Sequence, residues 1–203
     1  GDGFQDFLLA AFKPALARCN GAVYVAMSSS ELDTLQAAFR AAGGKWSTFI
    51  IWAKNTFTLG RSDYQRQYEP ILYGWPEGAT RHWCGDRDQG DVWHFNKPRV
   101  NDLHPTMKPV ELVERAIRNS SRPGDVVLDP FGGSGTTLIA AEKSGRQARL
   151  IELDPKYVDV IVRRWQSYAG AQAVREADGV KFDDLVGQQA DTADASDVMD
   201  AEE

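Results

Sequence analysis

The sequence predicts an α/β fold: a mostly parallel sheet with an antiparallel edge, flanked by helices. Residues 125–152 read as strand, glycine turn, helix and strand, the repeating unit of such a sheet. Upstream, short apolar runs alternate with stretches of helical spacing. The 203 residues, 42% hydrophobic and 26% charged, suffice for one such domain with a sizeable core.

Taken in order, residues 3–18 carry Phe4, Phe7, Leu8, Ala11 and Phe12 at helical spacing, an amphipathic helix that Pro14 is placed to break or kink. Residues 22–27 read as a strand. Ser30 followed by Glu31-Leu32-Asp33 reads as a helix start, a capping box with Asp in place of Glu, and that helix runs through Leu35, Ala38 and Phe39 to Gly43-Gly44. Residues 46–53 form the next strand and 54–65 a polar loop. Residues 67–74 form a third strand, where Pro70 argues for an edge position or a bulge. Pro109 suits the first turn of a helix whose Val110, Val113, Ala116 and Ile117 make a core stripe.

Val126, Val127 and Leu128 are the short apolar run of a strand buried on both faces, stopped by Asp129-Pro130. In Phe131-Gly132-Gly133-Ser134-Gly135 the missing Cβ atoms let a ligand approach the backbone. A helix follows from Thr136, with Gly145 as its C-cap. The second strand, 147–151, ends at Glu152, where an acid about 20 residues past a glycine turn grips a ribose hydroxyl pair. By itself this unit leaves its ligand open. A phosphate loop needs a lysine after the glycines, and Thr136-Thr137 stand there. A dinucleotide fingerprint needs a third glycine where Leu138 sits. S-adenosylmethionine, a nucleoside without a pyrophosphate, is the third candidate.

Just upstream lies His104-Pro105-Thr106-Met107-Lys108-Pro109. With Asp129-Pro130-Phe131-Gly132-Gly133-Ser134-Gly135-Thr136, it resembles the paired signature of DNA amino-methyltransferases, which methylate the exocyclic nitrogen of adenine or cytosine. The pair at this spacing is far more specific than either half. Its place late in the chain resembles the circularly permuted β group. Ile51-Trp52-Ala53-Lys54-Asn55 and Tyr68-Glu69-Pro70-Ile71-Leu72-Tyr73 match the family's order too, so the resemblance covers roughly residues 3–168. It implies a Rossmann-like methyltransferase fold with S-adenosylmethionine as cofactor. It implies that His104, Thr106, Lys108, Asp129, Phe131, Gly132, Gly133, Ser134, Gly135, Thr136, Glu152 and Leu153 surround that cofactor. Within that set, Glu152 is expected at the ribose, Leu153 beside the adenine, and Thr106 and Lys108 near the methionine carboxylate.

The family also carries an Asp/Asn/Ser-Pro-Pro-aromatic tetrapeptide that grips the target amine, and this sequence contains no Pro-Pro pair. The expectation is therefore a methyltransferase domain over residues 1–170 without catalytic residues of its own. In the permuted order the catalytic motif comes before the first helix, so it is expected upstream of Gly1. Association with that preceding segment, or a homodimer, is the expected assembly. In the same order, residues 76–103 are the place of target recognition. Arg81, Arg87, Lys97 and Arg99, interleaved with Trp83 and Trp93, suit phosphate contacts and base stacking on double-stranded DNA. The expected reaction is methyl transfer to adenine N6, with cytosine N4 as the alternative. A nicotinamide-dependent oxidoreductase accounts for the glycine turn and Glu152 but not for the segment around Lys108. A non-catalytic cofactor- or DNA-binding role is the remaining class.

The net charge of −6 is unevenly spread. Residues 171–203 hold 10 acids and 2 bases, an acidic tail whose end, from Gln188, reads as disordered. The other 170 residues are slightly basic. His82, Cys84 and His94 lack the spacing and fourth ligand of a zinc site, so no metal is expected. Cys19 and Cys84 form no disulfide pattern, which points to a reducing, cytoplasmic setting, and the family resemblance implies one of prokaryotic or phage type. No apolar run reaches membrane-span length.

Overall fold

A computed structural model describes residues 3–97 and 107–185. In chain order these form α1 (Phe4–Arg18), β1 (Val23–Ala26), a 3-10 turn (Ser29–Glu31), α2 (Leu32–Ala41), β2 (Gly44–Thr58), β3 (Arg66–Pro76), β4 (Val92–His94), α3 (Val110–Ser120), β5 (Val126–Asp129), α4 (Thr136–Ser144), β6 (Gln147–Leu150) and α5 (Pro155–Ala169).

The first four strands form one sheet in the order β1-β3-β2-β4, and β5 pairs with β6 in a second. Pairing is parallel for β2 with β4 and for β5 with β6. It is antiparallel where β3 meets β1 and β2. The antiparallel strand is thus central, not the edge expected from Pro70. A short connection between β2 and β3 forces antiparallel pairing. Pro70 is tolerated because Ile51, its partner, sends its own N–H to the Asp91 carbonyl on the β4 side. The proline nitrogen therefore faces the β1 side, where the β1 ladder has just ended at the Ala26–Ile71 pair.

Helices cover both faces of the larger sheet. On one, Leu8, Phe12 and Leu16 of α1 and Leu35, Ala38 and Phe39 of α2 close over Leu72. On the other, Leu112 of α3 enters a cluster of Ile50, Trp52, Ile71, Tyr73 and Trp93. The same α3 packs Val110 and Val113 with Val127 of β5, Ala148 of β6 and Ala140 and Ala141 of α4. One helix therefore joins the two sheets. Tyr24 of β1 and Ser120 at the end of α3 share a 2.7 Å hydrogen bond, and burial pushes the tyrosine's pKa up, so it stays a neutral phenol.

Several sequence expectations change in detail. Pro14 does not end α1, which continues to Arg18. It lies on the exposed face, where the carbonyl it leaves unpaired is open to solvent. Ser30 does not cap α2, whose N-cap is Glu31 without a side-chain bond; Ser28 caps the 3-10 turn before it, its hydroxyl accepting from the Ser30 N–H. The expected polar loop begins five residues later than the sequence suggested, because β2 runs on to Thr58. Within the recognition segment, β4 is a strand of the main sheet and Trp93 is core. β5 is covered on one face only: Val127 packs inward, while Val126 and Leu128 are 60% and 43% exposed. In the acid-rich segment, Asp183 accepts from Gln166 of α5, and Arg163 lies over the Phe182 ring.

Candidate functional site

The glycine turn joins β5 to α4. Gly133 and Gly135 have φ of 54° and 77°, the left-handed region that side chains resist. A Cβ on Gly132 would come 3.0 Å from Ile161 Cδ1 of α5, and one on Gly135 3.1 Å from Ile161 Cγ2. The glycines thus serve the seating of α5 as well as the open path to the backbone.

Asp129 ends β5 beneath this turn. Its carboxylate accepts from the Phe131 N–H at 3.0 Å and the Thr137 hydroxyl at 2.6 Å. Burial raises its pKa, and the Thr137 and Phe131 hydrogen bonds and the Lys108 charge only partly offset that. Glu152, just past β6, reaches back to the turn and accepts from the Gly133 N–H at 2.7 Å. Its other oxygen accepts from the N–H groups of Leu153 and Asp154 at 2.9 and 3.0 Å. A carboxylate has about four acceptor positions and can take a ligand hydroxyl beside backbone donors. Next to it Leu153 is 97% exposed, and Phe131 is also largely open, with its ring 6.0 Å from that of Phe7. An acid flanked by exposed apolar side chains, next to open backbone, fits a nucleoside: hydroxyls for the carboxylate and a flat base for Leu153.

Ser134 and Thr136 are buried, and their hydroxyls lie 3.3 Å apart. The Arg164 guanidinium donates to the Ser134 carbonyl at 2.9 Å and to both hydroxyls at 3.2 Å, and burial lowers its pKa. The Thr136 hydroxyl also donates to the Lys108 carbonyl at 3.4 Å. That bond joins the two segments that the sequence paired. The Lys108 ammonium lies 3.4 Å from Glu69, whose other oxygen lies 3.1 Å from Lys54. Lys54 in turn sits 4.5 Å over the Trp52 ring.

Glu69, Thr137 and Arg164 were not singled out from the sequence. Thr137 had a signal, since a hydroxyl in the first turn of the helix that follows a strand-end acid can reach back to it. Glu69 and Arg164 had none, because their partners are remote in the chain.

His104, Thr106 and Arg99 lie outside the described residues, and so does Gly1, the position upstream of which the catalytic motif is expected. The other basic candidates are divided. The backbone N–H of Lys97 donates to Asn55 Oδ1 at the carboxyl end of β2. Arg81 lies over Trp83, and the Cys84 N–H donates to the Asn119 carbonyl, which places the stretch with Arg81 and Arg87 by the C-terminal end of α3. Lys108 and the glycine turn lie by its N-terminal end, and 11 residues of helix span about 16 Å. Of the three residues considered for metal, the Cys84 sulfur lies 3.3 Å from His82 Nε2, and His94 is on β4.

These layers, with a glycine turn at the carboxyl end of β5 in the β5-α4-β6 unit, define a Rossmann-like methyltransferase fold. The M1.HpyAVI–SAM complex superposes with a TM-score of 0.67 at 24% identity, over 79% of this chain and 80% of that one. A DNA modification methylase of Thermus thermophilus, complexed with S-adenosyl-L-methionine, gives 0.63 at 26% identity over 82% and 78%. Residues 15–163 match the family model described as DNA methylase, and the chain belongs to that N6/N4 methylase family. The DNA adenine methyltransferase YhdJ of Escherichia coli is 48% identical over 150 residues, covering 57% of this chain and 50% of its own. The type II methyltransferase M.Cfr9I of Citrobacter freundii is 43% identical over 99 residues, 48% of this chain and 33% of its own. The chain thus spans between a third and a half of these relatives' length.

Proposed function

We propose that this chain binds S-adenosylmethionine at the glycine turn and serves transfer of its methyl group to the exocyclic amine of a base in double-stranded DNA. The 3.4 Å bond from Thr136 to the Lys108 carbonyl carries this reading, because it closes the two motif segments around Asp129. Glu152 accepts from the ribose hydroxyls, and Leu153 and Phe131 flank the adenine and the methionine arm. The Lys108 ammonium is held where it can meet the donor's carboxylate. Thr106 belongs to the same segment and the same role, and His104 is a further candidate contact of that segment. When bound, the cofactor supplies an electrophilic methyl on sulfur. The residues named here hold and orient that donor, and orientation of reactants is a large share of such a reaction.

An exocyclic amine has its lone pair drawn into the ring and needs hydrogen-bond acceptors to become a nucleophile. It must also leave the base stack. The tetrapeptide expected to do this is not in the sequence. With the partial span against relatives, we place that task on a further segment of the protein, preceding Gly1. Adenine N6 is the preferred acceptor, supported by the 48% identity to an adenine methyltransferase. Cytosine N4 is the alternative, since the cytosine-N4-specific PvuII methyltransferase shares the fold at a TM-score of 0.67.

Calorimetry with S-adenosylmethionine, and with NAD as the control, tests the donor site. Binding of NAD alone would refute the reading. Mass spectrometry of nucleosides from DNA incubated with the full-length protein then decides between N6-methyladenine and N4-methylcytosine.

A further inference from the structure

β2 and β3 outrun the sheet they belong to. β1 stops at the Ala26–Ile71 pair and β4 at the Ala53–His94 pair, yet β2 and β3 continue through Ala53–Tyr68, past an irregularity, to Thr58–Arg66. Residues 54–68 therefore form a two-stranded ribbon with no strand on either side among the described residues. Its end is ordered by its own side chains. Gln65 accepts from the Gly60 N–H at 2.7 Å and donates to the Ser62 carbonyl at 2.6 Å, and Gln67 donates to the Lys54 carbonyl at 2.9 Å.

The surface of this ribbon is what a structural hairpin avoids. Tyr64 is 93% and Leu59 82% exposed, and Phe57 and Tyr68 are largely open. Between them stand Arg61 and Arg66 against the single acid Asp63, on a chain of net charge −6, while Lys54 at the root is taken up by Glu69. Position matters as much. Glu69, at the root of the ribbon, is the residue that reaches Lys108, so the ribbon leaves the sheet on the edge that holds the glycine turn. Lys97 joins it there through Asn55.

We propose that residues 54–68 are a DNA-gripping arm, laid along duplex DNA beside the methyl-donor site. This rests on the functional reading above and names a surface that reading did not include. A two-stranded ribbon fits the major groove of B-DNA. Arg61 and Arg66 contact phosphates, which fixes register and orientation. Tyr64 and Phe57 offer faces to bases that leave the stack. Arg81 and Arg87, about one α3 length away, lie outside this footprint.

The test uses this chain, a fluorescein-labelled duplex of random sequence, and anisotropy over a salt series. Arg61→Ala with Arg66→Ala should weaken binding about tenfold or more and flatten the log–log salt slope by about two, one unit for each lost phosphate contact. Tyr64→Ala should weaken binding with the salt slope unchanged. All three side chains are exposed, and unaltered circular dichroism checks that the fold persists. Unchanged affinity and slope in the double variant overturns the proposal, as does a parent chain that binds no duplex. Loss of binding in Arg81→Ala with Arg87→Ala instead would move the interface to the other end of α3 and also overturn it. So would Tyr64→Ala converting a dimer to a monomer in sedimentation with DNA affinity intact, since a second copy would then occupy the arm. Donor calorimetry on the same variants separates the two readings. Retained S-adenosylmethionine binding with unaffected DNA affinity sinks the arm alone, whereas no donor binding by the parent chain sinks the functional reading.

Discussion

In the proposed donor site, Asp129 is expected to trade stability for donor binding. Burial holds its carboxyl above the ordinary value of 3.8. Between that value and the higher folded one, the folded chain binds more protons than the unfolded chain. Stability therefore falls as pH rises through this window, and the cost persists at neutral pH. Asp129→Asn keeps an acceptor for the Phe131 N–H and an amide for the Thr137 hydroxyl, without the buried charge. It should be more stable than the parent at pH 7, the difference vanishing below pH about 4, while donor affinity falls about tenfold or more for want of a charged acceptor. Urea melts across pH, with calorimetry, check both. Glu69 acts through Lys108. Glu69→Gln should weaken donor binding by less than tenfold, because the ion pair is partly solvated, and Glu69→Asp should restore part of it. An effect on thermal midpoint alone would make Glu69 merely structural. At Gly135, alanine meets both the 77° φ and Ile161 at 3.1 Å. Gly135→Ala should cost about 1–3 kcal/mol in urea unfolding and reduce donor binding with it.

Elements were legible where local chemistry decides them. The unit from β5 to β6 reads directly from apolar runs, a glycine turn and the left-handed Gly145 cap, and it folds as read except that β5 is covered on one face rather than two. What failed depended on neighbours. Pro70 sits centrally only because β1 stops beside it, and no local pattern announces where a partner strand ends. The polar residues after Lys54 read as loop because nothing buries them, yet they pair as an overhanging ribbon. The site divides in the same way: Asp129, Glu152 and the glycines follow from one contiguous motif, whereas Glu69 reaches Lys108 only through tertiary folding. α3 was legible as a helix, but its apolar stripe omitted Leu112, the residue that enters the tryptophan cluster. Leu112→Ala should cost about 2–5 kcal/mol, the range for a buried leucine left as a cavity, measurable by urea denaturation. Because the same helix starts beside Lys108, it should also weaken donor binding, unlike an equally costly substitution at Leu35 of α2.

At the scale of the molecule, the two sheets differ in support. The four-stranded sheet has helices on both faces and its own aromatic core. β5 and β6 form a two-stranded sheet, which is marginal in water without packing. Their support comes from α3 and α4 on one face, and Val126 and Leu128 remain open on the other. The proposed donor site is built on this weaker half, so bound donor should act there as a missing structural contact. At donor about 100-fold above its dissociation constant, linkage adds about 2.7 kcal/mol, a rise in midpoint of roughly 5–10 °C for a chain of this size. Amide exchange should localise the gain. Without donor, β5, β6 and α4 should exchange faster than β2 and β3. With donor they should approach the protection of the larger sheet, through α3, while the ribbon at 54–68 stays unprotected until DNA is added. Donor-induced protection confined to the larger sheet would mean that the glycine turn is not where the donor binds.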